Sequence, residues 1–171
     1  MASEFKNTEK FVRKYGKEVE AEIKNRLLSF GKKASGKLYK SIRADVREEK
    51  AGFIVQFQME DYGLYVDGGV KGHGKPEGFK GKNKPVVTTG KFRFGSKMPL
   101  DNKSIKDWLR IKGIPKKESF AVRRSIWIFG IAPTNFFSIP VKRNEKRLQA
   151  GIEKNMALDF EQIIAKEFKK K

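Results

Sequence analysis

The chain has one histidine, His73, inside Gly72-His73-Gly74, and no cysteine. A zinc site needs three or four convergent His, Cys or carboxylate ligands. A histidine-driven triad or acid–base pair needs an orienting acid beside it. His73 has neither in its neighbourhood. Glu60, Asp61 and Asp67 are the next candidates, but metal-assisted hydrolysis calls for a second acidic cluster at a defined spacing. Asp67, just before Gly68-Gly69, reads more simply as a turn residue. Gly72-His73-Gly74 and Gly78-Phe79-Lys80-Gly81 have the outline of phosphate loops, yet no Gly-Lys-Ser/Thr follows and no strand–loop–helix context surrounds them. The expectation is a protein without catalytic residues, bound metal or cofactor.

What the residue types do favour is contact with something negatively charged. Lys71, Lys75, Lys80, Lys82, Lys84, Lys91, Arg93 and Lys97 are interleaved with Phe79, Phe92 and Phe94. Basic side chains neutralise phosphates and aromatic rings stack on bases. Six such contacts to duplex phosphates would give a log–log salt slope of about −5. The same composition suits a segment that orders against an acidic protein neighbour. Both partners fit the arm equally at this stage.

The charge of the whole chain points the same way. Its net +19 is concentrated in residues 71–150, while residues 1–70 carry +3 and residues 151–171 carry +1. Such asymmetry attracts nucleic acid or acidic protein surfaces. A length of 171 residues with 38% hydrophobic content predicts one folded domain rather than a disordered chain. No run approaches the roughly 18–20 apolar residues of a membrane span, and residues 1–10 lack the apolar stretch of a signal peptide. A cytoplasmic origin is expected, with no membrane partner.

These features must be positioned by a small set of elements. Phe11, Tyr15, Val19, Ile23, Leu27 and Phe30 predict an amphipathic helix over 8–30, ended by Gly31. Two strands are expected at 38–46 and 53–59, the second with Phe53, Val55, Phe57 and Met59 on one face, joined by a polar turn ending in Gly52. Tyr62 to Val66 predicts a third short strand or a helical turn. Residues 68–100, rich in Gly and Pro, predict a long flexible basic arm, so that deleting 71–97 should leave the fold intact. Residues 101–130 predict inserted short helices at 104–111 and 118–129. Phe136, Phe137 and Ile139 are expected to be extended. A last helix over 143–169 is predicted from Leu148, Ile152, Met156, Phe160, Ile164 and Phe168.

Three segments carry a family likeness. Ala34-Ser35-Gly36-Lys37-Leu38-Tyr39-Lys40-Ser41-Ile42 resembles a small/Thr-Gly-x-Leu-x-x-Ser-Ile opening, with Gly36, Leu38, Ser41 and Ile42 as its marks. Asp61 to Gly69 resembles Tyr-Ala-x-Tyr-Val-Glu-x-Gly-Thr through Tyr62, Tyr65, Val66 and Gly68, with Asp67 in place of the usual Glu. Ile131 to Pro140 resembles Pro-x-Pro-Phe-Leu-x-Pro-Ala through Pro133, Phe136, Phe137 and Pro140. In this order, between two amphipathic helices, they resemble the neck and tail-completion (head–tail joining) family of tailed bacteriophages. The resemblance implies an α+β fold, a small antiparallel sheet packed against long N- and C-terminal helices, here with the basic arm inserted. It also implies a structural virion protein with no active site. Such a subunit forms a homo-oligomeric ring, a hexamer or dodecamer, between head and tail. Its implied neighbours are portal, adaptor or tail proteins, with non-specific contact to genomic DNA in the lumen. The alternative, on charge alone, is a basic nucleic-acid-binding protein outside the virion.

Overall fold

Helix α1 (Lys6–Ser29) forms because apolar residues recur along one side: Val12, Tyr15, Val19, Ile23 and Leu27 are buried and the acidic and basic residues between them are not. The computed structural model describes residues 5–31, 36–49, 52–75, 85–96, 98 and 103–169. After α1 come α2 (Lys37–Ser41), β1 (Arg43–Glu49), β2 (Gly52–Gln58), α3 (Tyr62–Gly68), β3 (Val70–Lys71) and β4 (Phe92–Arg93). They are followed by α4 (Lys103–Ile111), a 3₁₀ turn (Lys116–Glu118), α5 (Ser119–Phe129), β5 (Gly130–Ile131) and α6 (Ser138–Phe168). The protein is α+β, helix-rich, with small sheets. Among the described residues, no helix is long and apolar enough to cross a membrane.

The chain divides into two compact units, each made of discontinuous segments. The first comprises residues 1–26, 41–59 and 137–171, the second residues 27–40 and 60–136.

In the first unit, β1 and β2 form an antiparallel hairpin with Val46 opposite Val55 and Ala44 opposite Phe57. Its apolar face lies on α1 at Gly16, where a Cβ would meet Ala44 at 3.3 Å and Val46 at 3.4 Å. The Ala44 amide donates to Glu20 at 2.8 Å, which fastens the start of β1 to the same helix. Helix α6 packs along α1. The Tyr15 hydroxyl donates to the Asn144 carbonyl at 3.2 Å, the Asn144 amide donates to Glu22 at 2.9 Å, and Arg143 and Arg147 pair with Glu22 and Glu18. At the far end, Asp159 of α6 accepts from the backbone amides of Asn7 and Thr8 at 2.9 Å each and from the Thr8 hydroxyl at 2.7 Å. It therefore supplies from another helix the cap that the first turn of α1 lacks.

Gly151 lets α6 lie close against α1, because a Cβ there would overlap the Phe11 ring. In an isolated helix Gly→Ala gains about 1 kcal/mol. Here Gly151→Ala is expected to cost about 2 kcal/mol and lower Tm by about 4–8 °C. Phe11→Leu in the same chain should recover most of the loss. A rise in Tm for the single variant would contradict this packing.

Two expectations need correction and two others are refined. Residues 38–41 are helical, because Leu38 and Ile42 are spaced by four, a helical interval, and the strand starts only at Arg43. Tyr62 to Val66 lies in a helix, the second of the two forms expected. The Phe136–Pro140 segment is not extended: Phe136 and Phe137 form a turn, and Ile139 and Pro140 open α6. Pro140 is tolerated there because first-turn amides have no acceptor within the helix. Finally, residues four apart rotate by about 40° per step, so the six from Leu148 to Phe168 sweep about 200° around α6 and cannot share a face. Phe160, Ile164 and Phe168 are accordingly exposed.

The second unit holds a three-stranded sheet in the order β4-β3-β5, with β3 parallel to β4 and antiparallel to β5. Val70, Leu109, Ile128, Phe129 and Phe136 are buried in it. Both described ends of the expected arm belong to this fold rather than projecting from it. Gly72 and His73 donate to the carbonyls of Val87 and Trp127, while Lys91 and Phe92 donate to those of Gly68 and Gly69. Deleting 71–97 would remove β4 and half of β3, so that deletion is not neutral to folding. The stretch 76–84 lies outside the described residues.

Candidate assembly surface

Helix α3 is the hub at which the parts of the three motif segments that belong to the second unit meet. Its first residue, Tyr62, bonds through its hydroxyl to the Leu38 backbone, and Glu60 pairs with Lys37 at 3.0 Å. Burial, partly offset by the Leu38 bond, pushes the Tyr62 hydroxyl above its ordinary pKa. At the other end of α3, the Val66 carbonyl accepts from the Thr134 hydroxyl at 2.8 Å and the Asp67 carbonyl accepts from the Asn135 amide at 3.0 Å. Gly69 follows with φ +71, and a Cβ there would stand 2.6 Å from the Pro133 nitrogen and 2.7 Å from the Ile131 carbonyl. Only glycine fits a positive φ with backbone this close.

These contacts hold α3 by its ends and leave its outer side open. Tyr62, Leu64 and Tyr65 are 42%, 53% and 47% exposed, large apolar side chains on one short helix. Tyr65 leans on Phe92 of β4, with ring centroids 4.6 Å apart. Exposed apolar residues grouped in this way mark contact surfaces.

Beside this patch lies the cationic face of the sheet. The register sets Lys71 beside Arg93 and opposite Gly130, while Val70, Phe92 and Ile131 form the neighbouring row. Val70 is buried, whereas Lys71 and Arg93 are exposed, so the sheet turns its apolar row inward and its charges outward. Lys91 is exposed on the same segment with its stem over Gly68. His73 stacks on Trp127, centroids 4.3 Å apart and rings 14° from parallel, and the Trp127 indole donates to the Gly95 carbonyl at 3.4 Å. Lys75 lies 6.0 Å over the Phe129 ring.

Of the arm residues singled out from the sequence, Lys71, Lys91, Phe92 and Arg93 are therefore brought together at the sheet, with Lys75 beside them. Phe94 is half-buried just beyond β4. Phe79, Lys80, Lys82, Lys84 and Lys97 lie outside the described residues. The motif residues are split between the units. Gly36, Leu38, Tyr62, Tyr65, Val66, Gly68, Pro133 and Phe136 fall in the second, while Ser41, Ile42, Phe137 and Pro140 fall in the first. Thr134 and Trp127 were not distinguished by sequence as site residues. Nothing in their local spacing separates them from ordinary loop and helix residues. Among the described residues, no group of three or more His, Asp or Glu side chains is arranged to hold a metal ion. No family model matches the chain, nor does any curated protein or solved structure.

Proposed function

We propose that this chain is a structural subunit of a tailed-bacteriophage particle, a ring-forming connector between the portal end of the head and the tail. The observation that carries the reading is the convergence on α3, within the second unit, of residues 36–40, 61–69 and 131–136, stretches far apart in sequence that belong to the three segments with the family likeness. Their union builds a rigid mount for an exposed Tyr62, Leu64 and Tyr65. In a ring, each subunit presents one patch to a different patch on its neighbour, so the interface is heterologous and closes by rotation. The role is to make contacts with copies of itself and with portal, adaptor or tail proteins, without a chemical step.

Quantitative peptide mass spectrometry on purified particles from the source culture tests this. The expected result is a low, fixed copy number of six or twelve that persists in particles emptied of DNA. Leu64→Asp, at an exposed position, should keep the monomer folded and remove the subunit from particles. Absence of the wild-type chain from particles would overturn the proposal and favour a basic nucleic-acid-binding protein acting outside the virion.

A further inference from the structure

We infer that the outer face of the β4-β3-β5 sheet is a seat for the phosphate backbone of duplex nucleic acid. Lys71 and Arg93 stand side by side on neighbouring strands, a separation of about 4.8 Å between chains. Lys91 and His73 extend the exposed row at its two ends. Gly130 faces Lys71 in the register, and Gly72 and Gly90 flank β3 and β4, all three sites where a side chain would collide with backbone. These glycines let the strands approach closely, and the sheet they build is a platform that carries Lys71 and Arg93 side by side.

The chemistry favours a regular polyanion over an acidic protein. The apolar row of the sheet points inward, so the platform offers charge without the buried apolar anchors of a protein interface. It offers no side chain shaped to read base edges either, so its contacts position a backbone and do not read its sequence. Among the described residues, no acidic side chain is paired with Lys71, Lys91 or Arg93. Between Asp67 and Asp107 the only acidic residues are Glu77 and Asp101, both outside the described residues. The inference deepens the particle role by placing its DNA contact on named residues, and because the test uses the isolated chain the two can fail separately.

The test is fluorescence anisotropy of a labelled duplex oligonucleotide titrated with the full chain between about 50 and 200 mM salt, the range in which backbone contacts are most revealing. Lys71→Ala/Arg93→Ala should reduce the magnitude of the log–log salt slope by about 2 and weaken binding roughly 50-fold at 0.1 M salt. Lys10→Ala/Lys166→Ala, two exposed cations of the first unit, should change neither to that extent. Melting curves of all three proteins check that the folds are equivalent. Absence of duplex binding, or a slope unchanged in the Lys71/Arg93 variant, overturns the inference. Displacement of the duplex by polyglutamate at equal charge concentration also overturns it, in favour of an acidic protein partner.

Discussion

Gly130→Ala is expected to destabilise the protein by about 4 kcal/mol, lowering Tm by about 8–16 °C and weakening the near-ultraviolet signal of Trp127. Two costs add at this position. Gly130 has φ +80, a conformation that costs an ordinary residue about 1–3 kcal/mol. Its Cβ would also overlap the Val70 carbonyl and sit 2.6 Å from the Gly72 nitrogen. These are backbone atoms held in the sheet, so they cannot turn aside as a side chain would, and overpacking adds a further 1–3 kcal/mol or so. Gly113 isolates the first cost, because it has φ +66 but open space around its Cβ. Gly113→Ala should lose only about 1–2 kcal/mol. Equal melting temperatures for the two variants would show that the close approach at Gly130 is absent.

Asp159→Asn should cost about 3 kcal/mol at pH 7, or about 6–12 °C in Tm, and the cost should fade in acid. The carboxylate is 1% exposed. Burial pushes its pKa up, but the hydrogen bonds from the backbone and hydroxyl of Thr8 and from the backbone and side chain of Asn7 outweigh burial and hold it below the ordinary value. A depressed folded-state pKa stabilises the fold above the unfolded pKa of about 3.9, and that contribution is lost as pH falls through the folded value. The wild-type protein should therefore lose stability below about pH 4, while the gap to Asp159→Asn closes. Asn presents an N–H group to donors that need an acceptor, much as the protonated acid does. A gap that stays constant down to the acid limit would contradict the role of Asp159 as the cap of α1.

Much of the helical frame and the hairpin was legible in the sequence, because both rest on periodicity. The stripe Tyr15, Val19, Ile23 and Leu27 is buried in α1 as expected, and Phe53, Val55 and Phe57 take the more sheltered side of β2 while Ile54 is exposed. The glycine-rich stretch was not legible for a physical reason. Composition cannot tell a glycine that frees the chain from one that lets two backbones touch. Gly69, Gly72 and Gly90 are of the second kind. They turn the ends of an expected arm into sheet, and with it turn scattered lysines into a surface. The cap on α1 was hidden by distance, although an acid set among Met156, Ala157, Leu158 and Phe160 was a local hint that Asp159 has a buried partner. The convergence on α3 was legible only as the order of three motifs. Their meeting depends on Thr134 and Tyr62 hydrogen bonds that no spacing rule foretells.

The interleaving of the two units also imposes a schedule on synthesis. As the chain leaves the ribosome, every segment of the second unit is available once Phe136 has emerged, whereas the first unit still lacks α6. Tyr15, whose hydroxyl donates to Asn144, must wait for that helix, and the Thr8–Asp159 hydrogen bonds that close the start of α1 join residues 151 apart. Contacts of such long sequence separation form late. The residues of α1 are thus made before the helix that secures them, and in the interval their apolar stripe is what a chaperone, or another nascent chain, would meet.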